Sequence, residues 1–355
     1  MKDFLSPKAR AIKPYVPGEQ PKDKRYIKLN TNENPYPPSP KVTEAIAKAN
    51  SGDLRLYTLP EMEPLRAAVA QVEELPGIDW IYCGNGSDEV LAFAFQAFFG
   101  GDLPLLFPDI TYSFYPVYCG LYDIAYQAIP LKDDFSIDLD AYDSPACGVV
   151  FPNPNAPTGV FIPIDRIEAF LNRHPDRVLL LDEAYVRFGN QTATGLLQNH
   201  PNLAIVRTLS KSHALAGLRC GIIMAQPQLI EGVIRVKNSF NSYPMNAMSQ
   251  AGATAAILDD AYSREICRMV IATRDRVRAE LAARGFVVTP SAANLLFFRH
   301  PALSGEAIYE GLRQRGILVR HFSNPERIRE YVRMSMGTDE EMDTVLAALD
   351  EMLKQ

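Results

Sequence analysis

Val178-Leu179-Leu180-Leu181-Asp182-Glu183-Ala184-Tyr185 runs four aliphatic residues straight into a pair of carboxylates. An unbroken apolar run ended by polar residues reads as a strand buried on both faces. Similar short runs lie on either side of it, at 103–107, 124–130, 148–151, 203–208 and 220–225, with a further short strand at 80–83. Helical spacing falls between them at 64–74, 90–99 and 164–173. Buried strands alternating with helices predict an α/β fold, a mostly parallel sheet covered by helices.

Beyond a long helical region at 247–284 the texture changes. Strands at 286–289, 294–299, 317–320 and 331–335 with helices at 305–315 and 339–353 predict a smaller α+β unit. The first forty residues, rich in proline and polar groups, read as an extended arm. The expected division is therefore an arm at 1–40 joining the small domain, a large domain at 41–255 and a small domain at 256–355.

The chain has 355 residues, 47% hydrophobic and 22% charged, which excludes collagen-like and disordered classes. A net charge of −6 with scattered Lys and Arg argues against a nucleic-acid partner. No apolar stretch approaches the roughly 20 residues that a membrane span needs. Five cysteines, odd in number and in no C-x-x-C pair, point to a reducing, cytoplasmic setting. The five histidines show no metal-ligand spacing, so no metal is expected.

Ligands of open α/β sheets sit at the carboxyl ends of strands, so the residues after each run carry the functional reading. Asp182 ends one strand at the rim of a cleft, with Tyr185 close behind. Another strand leads into Ser210-Lys211-Ser212-His213 and then Arg219. A desolvated lysine near a second cation has a lowered pKa and suits amine chemistry, while Ser210 and Arg219 bracket an anion site. Gly84-Asn85-Gly86-Ser87-Asp88 lies between a strand and a helix, where backbone N–H groups meet anions. Its third glycine is missing, so it is not the dinucleotide fingerprint. Pro152-Asn153-Pro154-Asn155-Ala156-Pro157-Thr158-Gly159 is a rigid polar loop. An anion cup, a buried acid, a phenol and a lysine together suit pyridoxal 5'-phosphate.

These same motifs, in this order, resemble the signature of fold-type I pyridoxal-phosphate enzymes and specifically the class II aminotransferases. Lys13-Pro14-Tyr15, Leu29-Asn30-Thr31-Asn32-Glu33-Asn34-Pro35, Gly86-Ser87-Asp88-Glu89 and Val332-Arg333-Met334-Ser335 narrow the resemblance to the histidinol-phosphate aminotransferases. That resemblance implies amino-group transfer between L-histidinol phosphate and 2-oxoglutarate in histidine biosynthesis. It implies Lys211 as the Schiff-base lysine and proton shuttle, Asp182 on the pyridine nitrogen, Tyr185 on the ring oxygen and Tyr112 stacked on the ring. Ser87, Asp88, Ser210 and Arg219 would hold the phosphate, joined by Tyr57 of a neighbouring subunit in a homodimer with shared sites. Tyr15, Asn30, Arg320 and Arg333 would face the substrate.

One departure stands out: the family's ring-oxygen asparagine precedes Pro-Thr-Gly, and that position here is Ala156. Asn155, one residue earlier, is the candidate substitute. Two alternative activities share the cofactor. An aromatic amino acid aminotransferase would use the tyrosine-rich pocket, and a lyase or decarboxylase would act on a phosphorylated amino acid such as threonine phosphate.

Overall fold

The computed structural model describes residues 4–189 and 191–354. Among these residues the strands are β1 (Ile27–Lys28), β2 (Ile81–Gly84), β3 (Leu105–Pro108), β4 (Tyr126–Ile129), β5 (Gly148–Pro152), β6 (Val178–Asp182), β7 (Leu203–Thr208), β8 (Gly221–Ala225), β9 (Val287–Val288), β10 (Leu295–Arg299), β11 (Ile317–Leu318), β12 (Arg320–His321) and β13 (Val332–Ser335). Seven form one sheet in the order β2-β8-β7-β6-β5-β3-β4. From β7 to β4 the pairs are parallel, and β8 alone runs antiparallel to both of its neighbours. The apolar runs fix this arrangement: every residue of β5, β7 and β8 is buried, as a sheet covered on both faces requires. The edge strand β4 exposes its first three residues and reaches only from Tyr126 to Ile129, shorter than the apolar run around it.

Two apolar cores result. The larger surrounds the seven-stranded sheet. The other gathers Leu29, Val277, Leu296, Phe298, Ile308, Met334 and Leu349 around a four-stranded antiparallel sheet, β12-β13-β10-β9. The helix at Asp339–Met352 starts on a capping box in which Thr338 and Glu341 satisfy each other's backbone N–H groups.

The structure departs from the sequence reading in three places. The region 317–320 is two strands, because Val319 turns the chain from one sheet into another. β11 pairs in parallel with β1 of the arm, while β12 joins β13. The arm thus contributes a strand, and a short helix at Pro7–Ala11 capped by Ser6, rather than extended chain throughout. The long helical region breaks at Asp259, between helices Ala247–Leu258 and Asp260–Ala283. Its carboxylate accepts bonds from the Ser39 hydroxyl and the Lys41 ammonium, both at 2.6 Å, which tie the break to the start of the helix Pro40–Ala49.

Candidate active site

A cavity of about 420 Å³ opens at the carboxyl ends of β5, β6 and β7 and is closed on its far side by β12, β13 and the arm. β6 delivers Asp182 as its last residue, 5% exposed. Alternation along the chain sends the next carboxylate the other way. Glu183 accepts from the buried Arg207 (3.1 and 3.0 Å) and from the Ala193 N–H (2.7 Å), a structural role. Asp182 accepts from the Tyr115 hydroxyl at 3.1 Å and the Ala184 N–H at 3.0 Å. Burial outweighs these bonds and pushes its carboxyl up to about 6.

β7 ends in Thr208, whose side chain caps the one-turn helix Leu209–Ser212 and so aims Lys211 into the cavity. The Lys211 ammonium donates to the Thr31 carbonyl at 3.0 Å. Burial, aided by the Arg333 charge and opposed by Glu33 and Asp88, lowers it to about 8. The Thr208 hydroxyl lies 3.0 Å from Ser210 Oγ and 3.3 Å from the Cys220 carbonyl, which positions Ser210 at the cavity wall.

The helix Ser87–Phe98 points its N-terminus at the same space, and its first-turn N–H groups lack intrahelical partners. Gly86, at φ +86°, makes the approach possible: a Cβ there would lie 2.4 Å from Arg219 Nη2. Arg219 is held across the helix mouth by Asp88, Nη2 to Oδ2 at 3.1 Å, and the Tyr112 hydroxyl donates to Asp88 Oδ1 at 2.7 Å. The Asp88 carboxylate therefore orients Arg219 and Tyr112, and only its backbone N–H faces an incoming anion.

On the opposite wall Arg333 donates from Nη2 to the Asn30 carbonyl at 2.7 Å, and its guanidinium and that of Arg320 each lie 5.8 Å from the Phe322 ring centre. Tyr15 stacks on Phe114 at 4.8 Å beside them. Arg333 Nε and Asn30 Oδ1 are buried with no hydrogen-bond partner among the described residues, a donor and an acceptor left for a ligand.

Of the residues singled out in the sequence, Tyr15, Asn30, Ser87, Asp88, Tyr112, Asp182, Tyr185, Ser210, Lys211, Arg219, Arg320 and Arg333 all line this one cavity. Asn155 does not. Its amide donates to the Ile110 carbonyl (3.0 Å) and Thr158 Oγ1 (3.2 Å) and accepts from Thr111 (3.1 Å), so the segment after β3 and its own loop together consume it. Tyr57 is absent from the cavity of its own chain, being 84% exposed and stacked on Tyr243 at 4.6 Å. His213, although adjacent to Lys211, faces away. Burial lowers it to about 3, and its Nδ1 meets Ser212 Oγ at 2.9 Å.

Sequence reasoning missed Thr31, Asn32, Tyr115 and Phe322. The first two stand inside the Leu29–Pro35 motif, which was legible as a signature but not as separate contacts. Tyr115 and Phe322 carried no local signal. Among the described residues, no group of His, Cys, Asp or Glu could hold a metal ion, and no helix is long and apolar enough to cross a membrane.

The comparisons agree with this geometry. Histidinol-phosphate aminotransferase 2 of Thiobacillus denitrificans is 54% identical, covering 96% of this chain and 95% of its own. The histidinol-phosphate aminotransferase of Gluconacetobacter diazotrophicus is 53% identical over 99% of both chains. The crystal structure of the Sinorhizobium meliloti histidinol-phosphate aminotransferase in complex with pyridoxal-5'-phosphate superposes with a TM-score of 0.89. It is 26% identical and covers 100% of this chain and 98% of that one. The family described as aminotransferase class I and II matches residues 24–349. That match spans nearly the whole chain, and the chain belongs to this family.

Proposed function

We propose that the protein transfers an amino group between L-histidinol phosphate and 2-oxoglutarate, using pyridoxal 5'-phosphate. The observation that carries this reading is the meeting, in one cavity, of the Lys211 amine, the buried Asp182 and the Gly86–Arg219 cup. The cavity fits the cofactor on its own features. Gly86 leaves a cradle that a Cβ would fill, and Asp182 is a buried anion lacking a cationic partner among the described residues. When bound, the cofactor supplies an electron sink for the substrate's α-carbon.

The chain's residues do the rest. The helix N-terminus at Ser87 and Asp88, with Ser210 and Arg219, takes the phosphate. Asp182, ionised at neutral pH, would hold the ring nitrogen, Tyr112 would pack against the ring, and the Tyr185 hydroxyl would donate to the ring oxygen. Lys211, its amine kept partly neutral by burial, would hold the cofactor at its carbonyl carbon with release of water, and would move the proton at the substrate carbon. Arg333, with its open Nε, meets the carboxylate of the 2-oxo acid, and Arg320 shares the phosphate of the amine donor. Tyr15, backed by Phe114, would offer an apolar wall to an imidazole ring.

The names of the relatives at 53–54% identity favour this donor. No feature of the cavity favours decarboxylation. The test is the visible absorbance of the cofactor-loaded protein: L-histidinol phosphate should bleach the band and 2-oxoglutarate restore it. In Arg333→Ala the restoration should need at least tenfold more 2-oxoglutarate. A band indifferent to histidinol phosphate but bleached by phenylalanine would move the donor to aromatic amino acids.

The same reading covers assembly and setting. Residues 41–255 act as the cofactor-binding unit, with 256–355 and the arm as the closing unit. Leu54, Leu56, Tyr57, Leu59 and Phe240, all exposed, form an apolar surface suited to a second copy of the chain, whose cavity Tyr57 enters. Five free thiols, four of them buried, support a cytoplasmic setting. Sedimentation should give a particle of two chains, and Tyr57→Phe should weaken cofactor affinity without dissociating it. A monomer with full activity overturns the shared-site arrangement.

A further inference from the structure

We propose that Asn32 is a positioning residue that fixes the direction of the Tyr185 proton, so that Tyr185 serves as the protein's donor to the cofactor's ring oxygen. The inference rests on the cofactor reading above and deepens it. Ala156 presents only a methyl group where the resembling enzymes place an asparagine, and Asn155 is committed to Ile110, Thr111 and Thr158. Any compensation has to come through another side chain.

Asn32 is 2% exposed and held at every polar atom. Its backbone is left-handed, φ +55°, which asparagine tolerates better than most residues. Its N–H donates to Ser335 Oγ at 2.8 Å, and its carbonyl accepts from Asn294 Nδ2 at 3.1 Å. Ser335 Oγ donates to the Leu29 carbonyl at 3.0 Å and lies 3.2 Å from Asn32 Oδ1. The other end, Nδ2, donates to the Tyr185 oxygen at 2.8 Å.

An amide NH₂ accepts nothing, so the phenol proton is excluded from this bond and is left for the cavity. Donation into the phenol oxygen also makes the phenol a stronger donor in turn. Burial raises the Tyr185 hydroxyl's pKa, and the Asn32 bond works against that rise. The bond from Asn32 Nδ2 into Tyr185 thus leaves the phenol proton to run towards the ring oxygen.

A donor on that oxygen stabilises its anionic form against the neighbouring protonated nitrogen. It therefore lowers the pH midpoint of the cofactor's visible absorbance change. The experiment titrates this midpoint in the loaded wild type, Asn32→Gly, Tyr185→Phe and the double variant. Glycine accepts the left-handed backbone, so the side chain is lost without strain. Asn32→Gly should raise the midpoint by about half a pH unit or more, and Tyr185→Phe should raise it further.

The double variant should match Tyr185→Phe alone, because the relay has only one outlet. Ala156→Asn, added to Asn32→Gly, should bring the midpoint back down. Asn32→Asp keeps the shape but turns the bond round, and should raise the midpoint at least as far as Tyr185→Phe. An unshifted midpoint in an Asn32→Gly protein that binds cofactor overturns the relay, as do additive shifts in the double variant. A wild-type protein that forms no visible band overturns the cofactor reading instead.

Discussion

Lys211→Ala is expected to fold, to bind pyridoxal phosphate reversibly, and to lose at least about four orders of magnitude in turnover. The size of the loss follows from two roles in one amine. Proton transfer alone contributes about 10²–10⁴-fold, and loss of the covalent attachment adds to it. Folding should survive because the Lys211 side chain holds nothing structural beyond its bond to the Thr31 carbonyl.

The cofactor-free protein gives an independent check. The Lys211 ammonium is lowered to about 8 in the folded chain, below its value of 10.5 when unfolded. Between those values the unfolded state binds more protons, so this group makes wild-type stability rise with pH across that window. Melting temperatures of cofactor-free wild type and variant should accordingly differ most below pH 8, with the variant the more stable. The gap should close as pH approaches 10.5. A gap independent of pH would place the lysine in solvent and remove the basis for its reactivity.

The sequence carried the central sheet because its strands are buried on both faces, and burial writes itself as an unbroken apolar run. It carried Asp182, Lys211 and the Gly86 cup because each follows directly on such a run. It failed where partners come from remote segments. β1 and β11 are two residues each, and only their pairing makes them strands. Val319, between two sheets, looks like any other apolar residue.

Asn155 illustrates a finer limit. One residue from the expected position is enough to take the amide out of the cavity lining: Ile110 beyond β3 and Thr158 hold it. A short apolar run cannot show where its side chains' polar neighbours point. Asn32 became legible only when Tyr185, 153 positions away, met its amide at 2.8 Å. Long-range closure of this kind is a property of the fold, with no signal in local spacing.

Asp182→Asn should separate stability from function at a single atom pair. In the cofactor-free protein the acid is raised by burial to about 6, from a reference near 3.8. Here the sign is opposite to that of the lysine: the unfolded state loses its proton first, so this group lowers stability as pH rises from about 4 to 6. The cost is then fully present at neutral pH. It amounts to at most about 3 kcal/mol, since a tenfold change in proton affinity is worth about 1.36 kcal/mol.

Asparagine keeps the shape and the bond from the Ala184 N–H while removing the charge. The cofactor-free variant should therefore melt higher than wild type at pH 7, and the difference should vanish below about pH 4. Loading with pyridoxal phosphate should reverse the order. A buried cation that loses its anion costs roughly 3–5 kcal/mol, equivalent to about 10²–10⁴-fold in rate if the pair acts in the transition state. Turnover in the variant should fall within that range, with cofactor affinity falling too. A variant less stable than wild type at pH 7 without cofactor would mean that Asp182 is a structural acid satisfied by Tyr115.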